Sequence, residues 1–263
     1  MSEIKNWYFC LSQSTVNRYM HDWTSMAIVA VRSCKQHTDL QPNLIYTGTK
    51  DSFTQLMEDM GVNVIYHTSV LYNDLYARFG DDPQFGVGLG AFLRLDIPLY
   101  CHDEFALYTD VDVIFNKAIS SEENVLKAIK NFMAAPQFNP NDYENDINSG
   151  VLVLNVEHMR YLYFRLIKFA REYIRATCVD WDQGVLRKFF PARDRSNMSI
   201  YYNWKPYWGY NEKASIIHFH GPKPLAVKDR LVNDMPFIPE WEELYQNNKD
   251  AYVKYLQLFE SYL

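Results

Sequence analysis

Two acids with one apolar residue between them, Asp110 and Asp112 around Val111, lie in the apolar, β-prone run FALYTDVDVIF over 105–115. In extended backbone, side chains at i and i+2 point the same way. A strand ending here therefore presents two carboxylates on one side. Paired carboxylate oxygens suit a hard divalent cation such as Mg²⁺ or Mn²⁺, and a cation held that way is a clamp for a diphosphate. A second pair with this spacing, Asp180 and Asp182 around Trp181, means that partners elsewhere must choose between them. Late in the chain His218 and His220 repeat the i, i+2 spacing, and Lys223 follows two residues after Gly221. A neutral imidazole can complete an oxygen-rich metal site. A lysine can meet a phosphate as a compact cation, and glycine permits close approach of backbone. Arg94 sits in the apolar segment AFLRLDI. A buried arginine needs an anionic partner: a local acid such as Asp96 or Asp103, a phosphate, or one of the metal-binding acids.

The elements that must position these groups read as an α/β chain. Strands are predicted at Trp7–Leu11, Asn43–Thr47 and Asn63–Tyr66. Between them stand a helix over 20–36 and one opened by Asp51 or Ser52 and closed by Gly61. This alternation is the rhythm of a parallel sheet. The glycine-rich segment 80–90 matches neither nucleotide-binding fingerprint and reads as a mobile loop. A helix over 91–97 should end before Pro98. Ser120 and Glu123 form a possible capping box for a helix to about Lys130. A short strand follows at 132–135 and a polar loop at 137–148. The almost wholly apolar run Ser149–Asn155 predicts a central strand. Helices are expected over 157–176 and over 182–189, the latter opened by Asp182. A late strand at Ser215–Phe219 precedes two tail helices, 240–246 and 250–262.

The bulk composition bounds the partners. The chain has 263 residues and a net charge of −6. It carries no basic stripe, which argues against nucleic acid. Four cysteines with no C-x-x-C pair fit a reducing compartment. No signal-peptide pattern opens the chain and no run approaches a membrane span, so a cytoplasmic protein without a transmembrane segment is expected. Aromatics make up 16% of the residues, enough for some to line a carbohydrate site.

Six segments in order resemble the retaining glycosyltransferases of family 8, the group of glycogenin and the lipooligosaccharide galactosyltransferases. They are AFLRLDIPLY (91–100), FALYTDVDVIF (105–115), NSGVLVLN (148–155), WDQGVL (181–186), YYNW (201–204) and IIHFHGPKP (216–224). The resemblance implies a GT-A fold: one Rossmann-like mixed sheet flanked by helices over 1–224, with 225–263 as a helical extension packed on it. It implies a nucleoside-diphosphate sugar donor, UDP-glucose or UDP-galactose foremost, a glycan or other hydroxyl acceptor, and Mn²⁺, with Mg²⁺ as the substitute. Asp110, Asp112 and His218 would be the metal ligands, with His220 the second choice for the third. Lys223, Gly221, Val111, Arg94 and Asn148 would bind the donor. Asp182 and Gln183 would line the reacting face, and a retaining same-face attack would use one of them to support positive charge.

Three positions depart from the family pattern. Gly184 stands where a second Asp usually follows Asp-Gln. LSQST (11–15) replaces an Asp-containing turn near the nucleobase, and Leu225 replaces a common Trp. Two rival readings are a haloacid-dehalogenase-like phosphotransferase, whose Asp-x-Asp normally lies near the N-terminus, and a non-catalytic sugar-nucleotide-binding module. Acceptor contacts are expected from the loops 137–147 and 200–212.

Overall fold

The computed structural model describes residues 3–18, 20–119 and 123–263. The elements in chain order begin β1 (Asn6–Ser12), α1 (Gln13–Arg18), α2 (Met20–His37), β2 (Gln41–Thr47), α3 (Ser52–Asp59), β3 (Asn63–Tyr66), α4 (Tyr72–Phe79) and α5 (Phe85–Phe92). They continue with β4 (Phe105–Thr109), β5 (Val113–Phe115), α6 (Glu123–Lys127), β6 (Phe132–Ala135), β7 (Asn148–Asn155), α7 (Val156–Ala176), α8 (Trp181–Phe189) and β8 (Ser196–Asn197). The chain closes with β9 (Ile216–His218), α9 (Pro224–Asn233), α10 (Pro239–Asn247) and α11 (Lys249–Glu260). Two compact units emerge: a first of 1–20, 40–109 and 120–198, and a second of 21–39, 110–119 and 199–263.

The first unit is built on a mixed sheet in the order β3-β2-β1-β4-β7-β6-β8 among the described residues. β1 pairs in parallel with β2 and β4, whereas β7 runs antiparallel to β4 and β6. The order reverses at β1, the place where open α/β sheets gather ligands at the strand carboxyl ends. β4 and β7 are buried along their whole length, as their continuous apolar runs require of interior strands. α7 packs Leu166, Ala170 and Ile174 against the same core. At α3, Asp51 accepts from the Thr54 N–H at 2.9 Å while the Thr54 hydroxyl receives the Asp51 N–H at 2.9 Å, a reciprocal capping box.

Several local expectations are corrected. Residues 80–84 form turns, but 85–90 are no loop: they lie in α5, with Gly86, Gly88 and Gly90 buried. A Cβ on Gly88 would stand 2.1 Å from the Trp181 ring. At Gly86, where a Cβ would meet the Ser14 hydroxyl at 2.6 Å, and at Gly88, close packing outweighs the helix penalty of about 1 kcal/mol each. The polar stretch after β1 forms the short helix α1. The segment after α5 is a 3-10 helix, Leu93–Leu99, that contains Pro98 instead of stopping before it. α6 ends at Lys127, short of Lys130, and the Ser120 of the expected capping box lies outside the described residues. α8 starts at Trp181 behind Asp180, whose backbone is left-handed (φ 60°) and whose side chain makes no cap bond, so Asp182 lies inside the helix instead of opening it. α9, opened by Pro224, was not anticipated.

The second unit holds a two-stranded antiparallel sheet of β5 and β9. Its register pairs Val113 with His218 and Phe115 with Ile216. α11 lays Tyr252, Tyr255 and Phe259, all buried, along this unit. No helix among the described residues is long and apolar enough to cross a membrane.

Candidate functional site

In the second unit, the β5–β9 pairing decides where the chemistry-bearing groups fall. Val113 pairs with His218, and the Phe219 N–H donates to the Asp112 carbonyl at 2.9 Å. This brings His218 beside the two acids that precede β5. The His218 Nε2 lies 3.4 Å from Asp112 Oδ1 and 3.8 Å from Asp110 Oδ2. Ligand atoms of all three residues lie within 4.8 Å of one another. In an octahedral shell at about 2.1 Å, adjacent ligand atoms stand about 3 Å apart and opposite ones about 4.2 Å. Two carboxylates and one imidazole at these separations fit a divalent cation of the Mn²⁺ or Mg²⁺ kind. Val111, between the acids, is buried and anchors the turn.

The surroundings of this cluster are cationic. Lys223 Nζ donates to Asp112 Oδ2 and, at 3.1 Å, to the Phe219 carbonyl. Burial pushes the Asp112 carboxyl up, but the adjacent Lys223 ammonium counters it, and the group is held well below the carboxylate range. Gly221, at φ +95°, makes the turn between β9 and α9, and a Cβ there would meet Leu244 at 2.7 Å. His220 lies outside the three-residue cluster. Its Nδ1 stands 3.2 Å from the Tyr207 hydroxyl. Burial pushes its pKa well down, with the Lys223 and Lys205 ammonium groups adding to the effect, so the ring is neutral. Of the two histidines, then, only His218 joins the acids. Lys205, fully buried with its ammonium 4.4 Å from the Trp208 ring centre, was not singled out by sequence. A lone lysine among six aromatics is the signal that could have found it.

A second cluster forms in the first unit around Arg94, Asn148, Asp182 and Gln183. Arg94 is buried, with its Nε 3.1 Å from Asp182 Oδ2 and its guanidinium 4.4 Å over the Tyr108 ring. It also donates to the carbonyls of Ala91 at 2.8 Å and Ser149 at 2.5 Å. The anion is therefore neither of the two local acids expected. Asp96 instead faces His67 at 2.9 Å and the Tyr163 hydroxyl at 2.7 Å, and Asp103 accepts from Asn6.

Gln183 is held at both ends of its carboxamide. The Ser149 N–H donates to Oε1 at 2.9 Å, and Nε2 donates to Gln137 Oε1 at 2.5 Å. Asn148 Nδ2 lies 3.4 Å from Gln183 Oε1 and 3.5 Å from Gln137 Oε1. Gln137, at the start of the polar loop after β6, is a member of this group that sequence reasoning missed.

The departure at Gly184 has a steric basis. A Cβ there would lie 2.1 Å from the Val179 carbonyl oxygen and 2.4 Å from the Tyr173 hydroxyl. That hydroxyl itself donates to Val179 O at 2.6 Å. Cys178, Asp180 and Trp181 all carry positive φ, a strained path that brings residue 179 over the glycine.

No protein-family model matches the chain, and no curated protein matches its sequence. Solved structures do match in fold. The glycosyltransferase GlyE of Streptococcus pneumoniae TIGR4 is 15% identical with a TM-score of 0.60, covering 98% of this chain and 64% of that one. The chain thus spans just under two thirds of GlyE. The galactosyltransferase LgtC, solved in complex with donor and acceptor sugar analogs, is 16% identical with a TM-score of 0.59, covering 91% of this chain and 99% of that one. Mouse xyloside xylosyltransferase 1 gives 13% and 0.55, covering 83% and 98%. The architecture, a mixed sheet flanked by helices, is the GT-A fold of such enzymes.

Proposed function

We propose that this protein is a metal-dependent, retaining glycosyltransferase of the family 8 type. In this reading it moves a hexose, glucose or galactose, from a UDP-sugar to a hydroxyl of a glycan or other acceptor. The observation that carries the reading is the meeting of Asp110, Asp112 and His218 within 4.8 Å of one another, in a chain whose fold is that of LgtC and GlyE. The dehalogenase alternative fits less well, because its acidic pair follows the first strand whereas this one follows β4.

Asp110, Asp112 and His218 would hold Mn²⁺, or Mg²⁺ in its place. When bound, the cation supplies charge neutralisation for a diphosphate leaving group. Lys223 adds a second positive charge for the same group, with Val111 and the Gly221 turn shaping the approach of the donor. The family resemblance also assigns Arg94 and Asn148 to the donor; within the first unit Arg94 lies against Asp182, and Asn148 stands beside Gln183. In the reaction the bond from the anomeric carbon to the diphosphate oxygen breaks, and the acceptor oxygen attacks the same face. The acceptor proton leaves with the departing phosphate oxygen. An oxocarbenium-like transition state would be supported by the partial negative charge of Gln183 Oε1, which the Ser149 N–H and the Asn148 amide hold in place, or by the Asp182 carboxylate. An amide is a poor nucleophile, which favours this route over a covalent sugar intermediate on Gln183.

The test is a donor screen: release of UDP from a panel of UDP-sugars, with and without Mn²⁺, with oligosaccharide acceptors. Mn²⁺-dependent release from one or two UDP-hexoses is expected. Binding of UDP-sugars with neither hydrolysis nor transfer on any acceptor would favour the binding-module reading, and hydrolysis of p-nitrophenyl phosphate would favour a phosphatase.

A further inference from the structure

We propose that Asn203 is the positioning residue that makes His218 a metal ligand, by holding the proton of its imidazole on Nδ1. The inference rests on the metal-site reading above and extends it to a residue outside the ligand set. A neutral imidazole has one N–H and one lone pair, and the partner of one nitrogen decides the role of the other. His218 Nδ1 lies 2.9 Å from Asn203 Oδ1, an acceptor that requires the proton to be on Nδ1. Nε2 then presents its lone pair to the space bounded by Asp110 and Asp112. Without that acceptor, the same two carboxylates would draw the proton to Nε2, and the ring would donate to them instead of binding a cation.

The placement of Asn203 is rigid. The residue is fully buried, so water does not compete for Nδ1. It closes a 3-10 turn, Ile200–Tyr202, with its own N–H donating to the Ile200 carbonyl at 3.1 Å. Trp204, next in the chain, bridges to Ile217 of β9. Its N–H donates to Ile216 O at 3.0 Å and its carbonyl accepts from the His218 N–H at 2.8 Å. The backbone thus sets the 203 side chain against the 218 ring. A neutral amide does this without adding charge beside two carboxylates. Hydrogen-bond partners of ligating histidines typically contribute 10- to 100-fold to metal affinity.

The experiment is a Mn²⁺ titration of the full chain by calorimetry or by paramagnetic resonance, for the unsubstituted protein, Asn203→Leu, Asn203→Asp and the His218→Ala pair with and without Asn203→Leu. Asn203→Leu should weaken Mn²⁺ binding about 10- to 100-fold. Asn203→Asp, which keeps the acceptor, should stay within a few-fold, and Asn203→Leu should cost nothing more once His218 is alanine. Nitrogen-15 spectra of the metal-free, unsubstituted protein should give His218 as the Nδ1–H tautomer, a readout that stands even where a variant does not fold. An Nε2–H tautomer in that spectrum, or a folded Asn203→Leu with unchanged affinity, overturns the proposal. A protein that binds no Mn²⁺ overturns the metal site itself and this role with it. One that binds Mn²⁺ as described but transfers no sugar removes the transferase reading and leaves this inference intact.

Discussion

Gln137 accepts a hydrogen bond from Gln183 at 2.5 Å, across 46 residues of chain. Because the Ser149 N–H already occupies the oxygen of that carboxamide, Gln137 fixes the remaining end and with it the rotation of the group. Misplacement of a reacting group by about 1 Å can cost about 100-fold in rate. Gln137→Ala is expected to lower kcat about 10- to 100-fold with little change in donor KM. Steady-state kinetics with the donor found in the screen would test this; a change confined to KM would place Gln137 in donor binding instead.

Asp112→Asn removes one carboxylate from the proposed metal site and leaves Lys223 facing a neutral amide. Transfer should fall by more than about 100-fold, beyond the loss typical of a group that merely supports a ligand, and Mn²⁺ affinity should fall with it. A loss no greater than that of a surface substitution such as Glu172→Gln would refute the metal assignment.

Gly184→Asp, which introduces the second acid of the family 8 pattern that the chain resembles, should not create a sugar contact. The new side chain would run into the Val179 carbonyl and the Tyr173 hydroxyl. Overpacking of this kind costs about 1–3 kcal/mol. Chemical denaturation should therefore give a lower midpoint with an unchanged slope, and activity should not rise.

The α3 cap predicts a pH dependence. Burial raises the Asp51 pKa, but the Thr54 N–H and the Tyr46, Gln13 and Thr54 side chains outweigh it, and the net shift is below the ordinary value of 3.8. A group depressed on folding adds stability above its unfolded pKa and loses it as pH falls through the folded one. Asp51→Ala should therefore cost about 1 kcal/mol near neutrality. The gap in Tm between the two proteins should narrow once the pH drops below 3.8. A gap that stays constant down to the acid limit would show that the carboxylate charge plays no part.

Much of this arrangement was legible in the residues. β3 and β6 fall where their apolar runs predict, and β7 is interior as its unbroken apolar sequence requires. The acidic pair and the late His-x-His were visible as chemistry because each sets like side chains two residues apart at the end of a strand. The resemblance ranks His218 above His220 as the third ligand, but the physical reason is the β5–β9 register, which no local pattern specifies. The glycine segment was misread because glycine signals freedom in isolation, while here it signals close packing against Trp181. Asn203, Gln137 and the Asp182 partner of Arg94 act through side chains far apart in sequence. Pairings of that kind leave no periodicity to read.

The contact between Gly88 and Trp181 ties two distant stretches of the gene together. The indole lies where any larger residue at 88 would need to be, and it also packs tilted against Phe79, with ring centres 4.8 Å apart. Trp181 immediately precedes Asp182 and Gln183, so bulk added at 88 would be transmitted to both. Among descendants of this sequence, residue 88 should enlarge only where residue 181 shrinks. Inheritance at these two codons should therefore be coupled, although 92 positions separate them.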